Sequence, residues 1–272
     1  MAGRTATNPS SFLLTLPSNA SSNAYPLNNP SDFTVNLNPP LELTGNYECS
    51  LVEISLPRSW ANVADSNDLS VHLKNVNTKQ TQKIHLSSGH YGTIPYLLSK
   101  FNTQVKPEFR KFASPDPNTI GTTDFYYRDL LFWRKDLQKI HLSVPKDVKI
   151  VFSPTLQNIL GLSHKRYEGP LHTYADNVSN IHSNIGAFYV YGSIIENRHV
   201  GDTKAPLLRI VPIDGDDNSC DIFHSFTNLQ FNPVRLTHFD RITIHIRDGQ
   251  GKLIPFQRGI VVLTLQFRRR LF

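Results

Sequence analysis

Between Arg241 and Arg247 the sequence alternates without a break, with Ile242, Ile244 and Ile246 at every second position and Arg241, Thr243, His245 and Arg247 between them. Successive side chains of a β-strand point to opposite faces, so this run specifies a strand with one buried and one wet face. Val261, Leu263, Leu265 and Phe267 repeat the pattern further on. The intervening Asp248-Gly249-Gln250-Gly251 supplies residues that tolerate the positive φ of a tight reversal. Together these predict a β-hairpin over 235–269 that closes a sandwich.

Composition agrees with many short elements joined by turns. Eighteen prolines and fourteen glycines punctuate 272 residues, and 39% hydrophobic residues are enough for a real core. Lys+Arg 28 against Asp+Glu 22 gives +6, a mildly basic chain. Cys49 and Cys220 are too far apart for a zinc knuckle, and two cysteines make no disulfide framework, which points to a reducing compartment. FLLTL, the longest apolar run near the start, is too short for a signal peptide, and no stretch of some 20 apolar residues spans a bilayer. The expectation is a soluble protein made inside the cell, its sequons at Asn19 and Asn177 unglycosylated.

Taken in order, 1–31 is Asn-, Ser- and Pro-rich, broken by Phe12, Leu14 and Leu16, and reads as a mobile arm with one short strand able to pair with a neighbour. Phe33, Val35 and Leu37 alternate in the next segment. Residues 47–57, YECSLVEISLP, are apolar on both faces at Leu51, Val52, Ile54 and Leu56, the pattern of a strand in the middle of a structure or against another subunit. LSVHLKN and TQKIHLS form a hairpin. Leu97, Leu98, Phe101 and Val105 have helical spacing, with Pro95 tolerated in the first turn. A polar loop carrying Lys106, Arg110 and Lys111 runs to about Thr123, and strands follow near FYYRDLLFW, KIHLSV and KIVFS. Ser153-Pro154 starts a second, short helix that Gly161 stops. The order β-β-α-β-β-β-α marks 69–162 as an α/β insertion. Strand patterns resume at 187–195, 206–213 and 228–236. The fold class is therefore mainly β: a single jelly-roll β-sandwich of 32–68 and 163–272 with an inserted α/β subdomain over 69–162.

No catalytic or metal constellation survives inspection, so no catalytic residue, metal ligand or cofactor is assigned. GxSxG, HExxH, P-loop and GxGxxG motifs are absent. The acidic run Asp214, Asp216, Asp217, Asn218, Asp221 fails as a calcium loop, because Ser219 stands where the turn needs glycine and Ser225 where a bidentate glutamate is needed. His72, His85, His141 and His245 sit singly in separate strands, without the i, i+2 pair that a sandwich metal site requires. Arg268, Arg269 and Arg270 follow the last strand, and three uses fit them: phosphate contacts, a solubilising tail, or pairing with a partner's carboxylates.

An ordered series of segments resembles the penton-type minor capsid protein of Polinton or Maverick elements and the related adintoviruses. It comprises FTVNLNPPLELTGNYECSLVEISLPRSWANV (33–63), SGHYGTIPYLLSKFN (88–102), FSPTLQNILGL (152–162), VGDTKAPLLRIVPI (200–213) and the closing strands. The resemblance implies a structural virion protein: a single jelly roll, without enzymatic activity, that forms homopentamers at the fivefold vertices of an icosahedral capsid. Its implied partners are further copies of itself, a double jelly-roll major capsid protein, packaged DNA and a vertex spike, and its implied location is the virion. Arg241, His245, Arg247, Arg268, Arg269 and Arg270 are the candidate subunit or genome contacts. The competing function is a carbohydrate- or receptor-binding sandwich using Tyr126, Tyr127, Trp133, Tyr189 and Tyr191 as an aromatic platform.

Overall fold

The computed structural model describes residues 10–62, 70–75, 79–112, 129–183, 185–213 and 220–270. It divides into two units, Met1–Trp60 with Ile185–Phe272, and Ala61–Asn184. The first unit opens with β1 (Ser11–Pro17), β2 (Asp32–Glu42) and β3 (Tyr47–Pro57). The second contains β4 (Ser70–Asn75), β5 (Thr81–His85), α1 (Ile94–Phe112), β6 (Leu131–Arg134), β7 (Lys139–Val144), β8 (Val148–Phe152), α2 (Pro154–Leu160), β9 (Arg166–Glu168) and β10 (Leu171–Tyr174). The first unit then resumes with β11 (Ala187–Gly192), β12 (Arg198–Val200), β13 (Thr203–Ala205), β14 (Leu207–Pro212), β15 (Asp221–Ser225), β16 (Asn232–Pro233), β17 (His238–Arg247) and β18 (Val262–Arg269).

Two antiparallel sheets organise the first unit, in the orders β1-β18-β3-β15 and β14-β11-β17-β2. Counting these eight strands along the chain, the sheets read 1-8-3-6 and 5-4-7-2, and every connection except β11 to β14 crosses from one sheet to the other. That is the strand order of a jelly roll. Its core takes the inward residues of both sheets, among them Phe33, Val35, Leu51, Leu56, Phe188, Val190, Ile242, Ile244, Ile246, Leu263 and Phe267. Trp60 is fully buried there, edge-on to Phe188 at 5.1 Å.

The expected closing hairpin is not formed. β17 pairs with β2 and β11, whereas β18 pairs with β1 and β3. A tight turn does follow β17, with the Asp248 carboxylate accepting from the N–H groups of Gln250 and Lys252. Its return is brief, an Arg247–Leu253 bridge and an Ile254 N–H bond to the Ile246 carbonyl, before the chain crosses to the other sheet.

β3 is not apolar on two faces. Thr264 and Leu265, adjacent on β18, stand opposite Glu53 and Leu51, so Val52 is an extra residue in a β-bulge. The bulge shifts the phase of the pleat, and Leu51, Ile54 and Leu56 all enter the same core while Val52 is half-buried. The Val52 carbonyl accepts from the Phe226 N–H, 2.8 Å.

The segment read as a mobile arm is largely structured. β1 pairs along the whole of β18 within the same chain, from Ser11 opposite Arg268 to Pro17 opposite Val262. Leu16 is fully buried, and Phe12 stacks on Phe267 with ring centroids 5.0 Å apart. Three apolar residues at period two cover the β18 edge, a stronger drive than the polar composition around them. Residues 1–9 lie outside the described residues.

In the second unit, sheets ordered β5-β4-β8-β9 and β10-β7-β6 share one core with both helices. α1 buries Ile94, Leu97, Leu98, Phe101 and Val105. It runs on through Pro107, so Lys106 is helical, not part of a loop. α2 starts and stops as expected. Ser153 Oγ accepts from the Leu156 N–H, Pro154 occupies the first turn, and Gly161 takes the left-handed conformation at φ 72°. Residues 163–183, assigned by sequence to the sandwich, lie in this unit instead. β9 pairs with β8 and β10 with β7, and Tyr167, Ala175 and Ile181 complete its core.

Candidate functional site

Of the six candidate contact residues, three lie on β17 and two on β18, in the two sheets of the jelly roll, and Arg270 follows β18 directly. Arg241, His245 and Arg247 lie on the outward face of β17, where the pleat that buries the three isoleucines turns them to solvent. Register places Tyr189 opposite Arg247 and Tyr191 opposite His245 on one side, and Asp32 opposite His245 and Asn36 opposite Arg241 on the other. His245 Nδ1 is 3.0 Å from Asp32 Oδ1, an ion pair once the ring is protonated. Thr243 and Thr34 hydroxyls meet at 2.9 Å. Arg247 Nη1 donates to the Gly251 carbonyl at 2.6 Å, so its guanidinium is anchored to the turn. Burial pushes the Tyr191 phenol up, and the Arg247 charge acts against that shift. Arg241 faces Asp240 at 3.4 Å with both side chains well exposed, an interaction of little energetic weight. Ile210, 45% exposed, stands opposite Tyr189 and extends the apolar part of this face. The face is thus a Tyr-Tyr-Ile strip bordered by anchored polar groups.

The three terminal arginines lie at the end of β18 in the other sheet and differ from one another. Arg268 Nε is 2.5 Å from Glu48 Oε1, and its guanidinium lies 3.5 Å over the Phe231 ring. It is committed to a pair within the chain. Arg269 runs beside Gly45, where its Nε would sit 3.3 Å from an added Cβ, and its N–H bonds the Ser10 carbonyl. Arg270 is exposed beyond the strand end, its N–H bonded to Asn46.

The residues of the expected aromatic platform come from both units. Tyr189 and Tyr191 share the face just described, Trp133 belongs to β6 of the second unit, and Tyr126 and Tyr127 lie outside the described residues. Lys106 pairs with Asp129 at 2.5 Å, while the side chains of Arg110 and Lys111 are outside the described residues. Residues 214–219 of the acidic run are also outside them, and Asp221 opens β15. Among the described residues no group of three or more His, Cys, Asp or Glu is placed to hold a metal ion. Among them, too, no helix is long and apolar enough to cross a membrane.

Sequence reasoning missed a basic face on the β5-β4-β8-β9 sheet. Its residues are two apart in four separate segments, and only the register of the sheet makes them neighbours.

No protein-family model matches the chain, and no curated protein matches it in sequence. Its structure matches the crystal structure of the penton protein of mavirus with a TM-score of 0.53, at 11% identity, over 94% of this chain and 99% of the other. The chain has the fold of a penton protein. Such coverage takes in both units, so the likeness is to the penton fold with its insertion and not to a jelly roll alone. At 11% identity the likeness is one of backbone path.

Proposed function

We propose that the chain is a structural capsid protein of the penton type: a subunit of a homopentamer at the fivefold vertices of an icosahedral shell whose faces are built by a double jelly-roll major capsid protein. The observation that carries this reading is the end-to-end match to the mavirus penton fold, insertion included, with 99% of that chain covered. The segments that resemble Polinton and adintovirus pentons point the same way, toward a non-enzymatic subunit residing in the virion. The strip of half-buried Tyr189 and Tyr191 with exposed Ile210 offers what a lateral contact between subunits needs: aromatic anchors inside a polar rim.

Size-exclusion chromatography with light scattering tests the assembly. The expected species has five times the 30.8 kDa of one chain, formed alone or on addition of the major capsid protein. A persistent monomer that binds glycans instead would overturn this reading in favour of a receptor-binding sandwich.

A further inference from the structure

One face of the β5-β4-β8-β9 sheet is packed into the core by Val71, Leu73, Ile84, Val148, Ile150, Phe152 and Tyr167. The pleat therefore turns the alternate residues outward, and register sets them in rows. Thr81, Lys74, Lys149 and Glu168 form one row, and Lys83, His72, Val151 and Arg166 the next. Lys165 precedes Arg166 and borders a depression of about 480 Å³ shared with His72, Lys74, Lys149 and Arg166. Among the described positions of these rows Glu168 is the one carboxylate, 3.4 Å from Lys149. Beside that pair the face carries Lys74, Lys83, Lys165 and Arg166, all exposed. His72, in their midst, is held below the ordinary histidine range by burial first and then by the charges of Lys83, His85 and Lys165.

We propose that this face of the insertion binds the phosphate backbone of duplex nucleic acid. Four strands spaced about 4.8 Å apart spread the cations over about 14 Å, and the two rows lie about 7 Å apart along the strands. That two-dimensional spread matches a duplex, which presents phosphates on two strands at about one charge per 1.7 Å of axis. A single thin polyanion would be served by one row. Among the outward positions of the two rows the His72 imidazole is the one ring, with no Phe, Tyr or Trp to form a stacking platform, so recognition is of charge and shape rather than of sequence. Val151 and Pro154 are too little apolar surface to anchor a protein partner. The inference does not rest on the pentameric reading, since monomer and pentamer both carry this face.

The test is fluorescence anisotropy of the full chain with a 30-base-pair duplex over a salt series. Binding is expected to weaken with salt at a log–log slope of about −3 to −4, the value for four neutralised phosphates. Each of Lys74→Ala, Lys83→Ala, Lys165→Ala and Arg166→Ala should reduce that slope by about 0.9, and the four together should weaken binding at low salt by about tenfold or more. Glu168→Gln should do the reverse, releasing Lys149 to a phosphate and steepening the slope by about 0.9, a gain that a misfolded variant could not produce. Arg269→Ala with Arg270→Ala should leave the slope unchanged. The proposal is overturned if the fourfold variant binds like the parent chain, if Glu168→Gln brings no gain, or if the terminal arginines carry the slope. A size-matched heparin oligosaccharide that outcompetes the duplex at the same cations would reassign the face to sulfated glycans and likewise overturn it.

Discussion

Asn62 clamps the backbone of Tyr91 at both ends: its Oδ1 accepts from the Tyr91 N–H at 3.0 Å, and its Nδ2 donates to the Tyr91 carbonyl at 2.9 Å. Both residues are buried, at 5% and 6% exposure, so no water replaces the amide if it is lost. A side chain twenty-nine positions away thereby fixes where the chain turns into α1. Asn62→Leu leaves a buried N–H and C=O unsatisfied and is expected to destabilise the second unit by about 2–4 kcal/mol. Asn62→Asp keeps the acceptor and should cost less when protonated at acid pH than at neutral pH. Urea unfolding of both variants checks the order; equal stability of Asn62→Leu and the parent chain would refute the clamp.

Ile244 is fully buried between Phe33 on β2 and Gly192 on β11, its register partners, while its neighbour Thr243 faces outward to Thr34. Ile244→Asp places a carboxylate in the jelly-roll core and should leave the protein insoluble or unfolded. Thr243→Asp changes the opposite face by one position and should remain soluble. The soluble fraction after expression distinguishes them, and a folded Ile244→Asp protein would show that the inside-outside assignment of β17 is wrong.

What is legible in the sequence follows from how local the physical cause is. Seven alternating residues admit one phase, so the two faces of β17 are readable, and so are the cap at Ser153 and the stop at Gly161. The partners of β17 and β18 are not readable, because sheet membership depends on β1, β2, β3 and β11, remote in sequence, and the turn at Asp248 suits a short return as well as a long one. β15 hides behind an acidic run with one buried residue, Ile222, and 228–236 looks like a long strand although its pairing is confined to Asn232 and Pro233 with β3 and a single bridge from Val234 to Ile195. The contact surface divides the same way. The wet face of β17 can be read from alternation, but its tyrosines from β11, the Glu48 that occupies Arg268, and the basic rows of the second unit arise only from register.

Two histidines of the second unit should make its stability pH-dependent. His72 is held down by burial, then by Lys83, His85 and Lys165, and His141 by burial, then by His172 and Arg134. A depressed folded-state value means that the unfolded chain binds the extra proton first, so stability is full above about 6.5 and is lost as pH falls below it. Thermal melts between pH 7.5 and 5 should show a falling midpoint, and His72→Gln with His141→Gln should flatten that fall. Both rings are mostly solvated, so the effect is modest; a double variant whose pH slope equals that of the parent chain would contradict the assignment.

The bulge at Val52 makes a prediction that no reading of β3 as a regular strand would make. Because Glu53 and Leu51 stand opposite adjacent residues of β18, removing Val52 joins two segments already in phase. Tyr47, Cys49 and Leu51 still face inward, and Ile54 and Leu56 follow at the next alternate positions. The deletion forfeits the bond from the Phe226 N–H to the Val52 carbonyl and some local twist, a loss of about 1–2 kcal/mol. Deleting Ser55 instead turns the strand beyond it out of phase, sending Leu56 outward, and should abolish folding. Denaturant midpoints for the two deletions decide the matter: a folded Ser55 deletion beside an unfolded Val52 deletion would mean that β3 is held by its partners irrespective of which residues face the core.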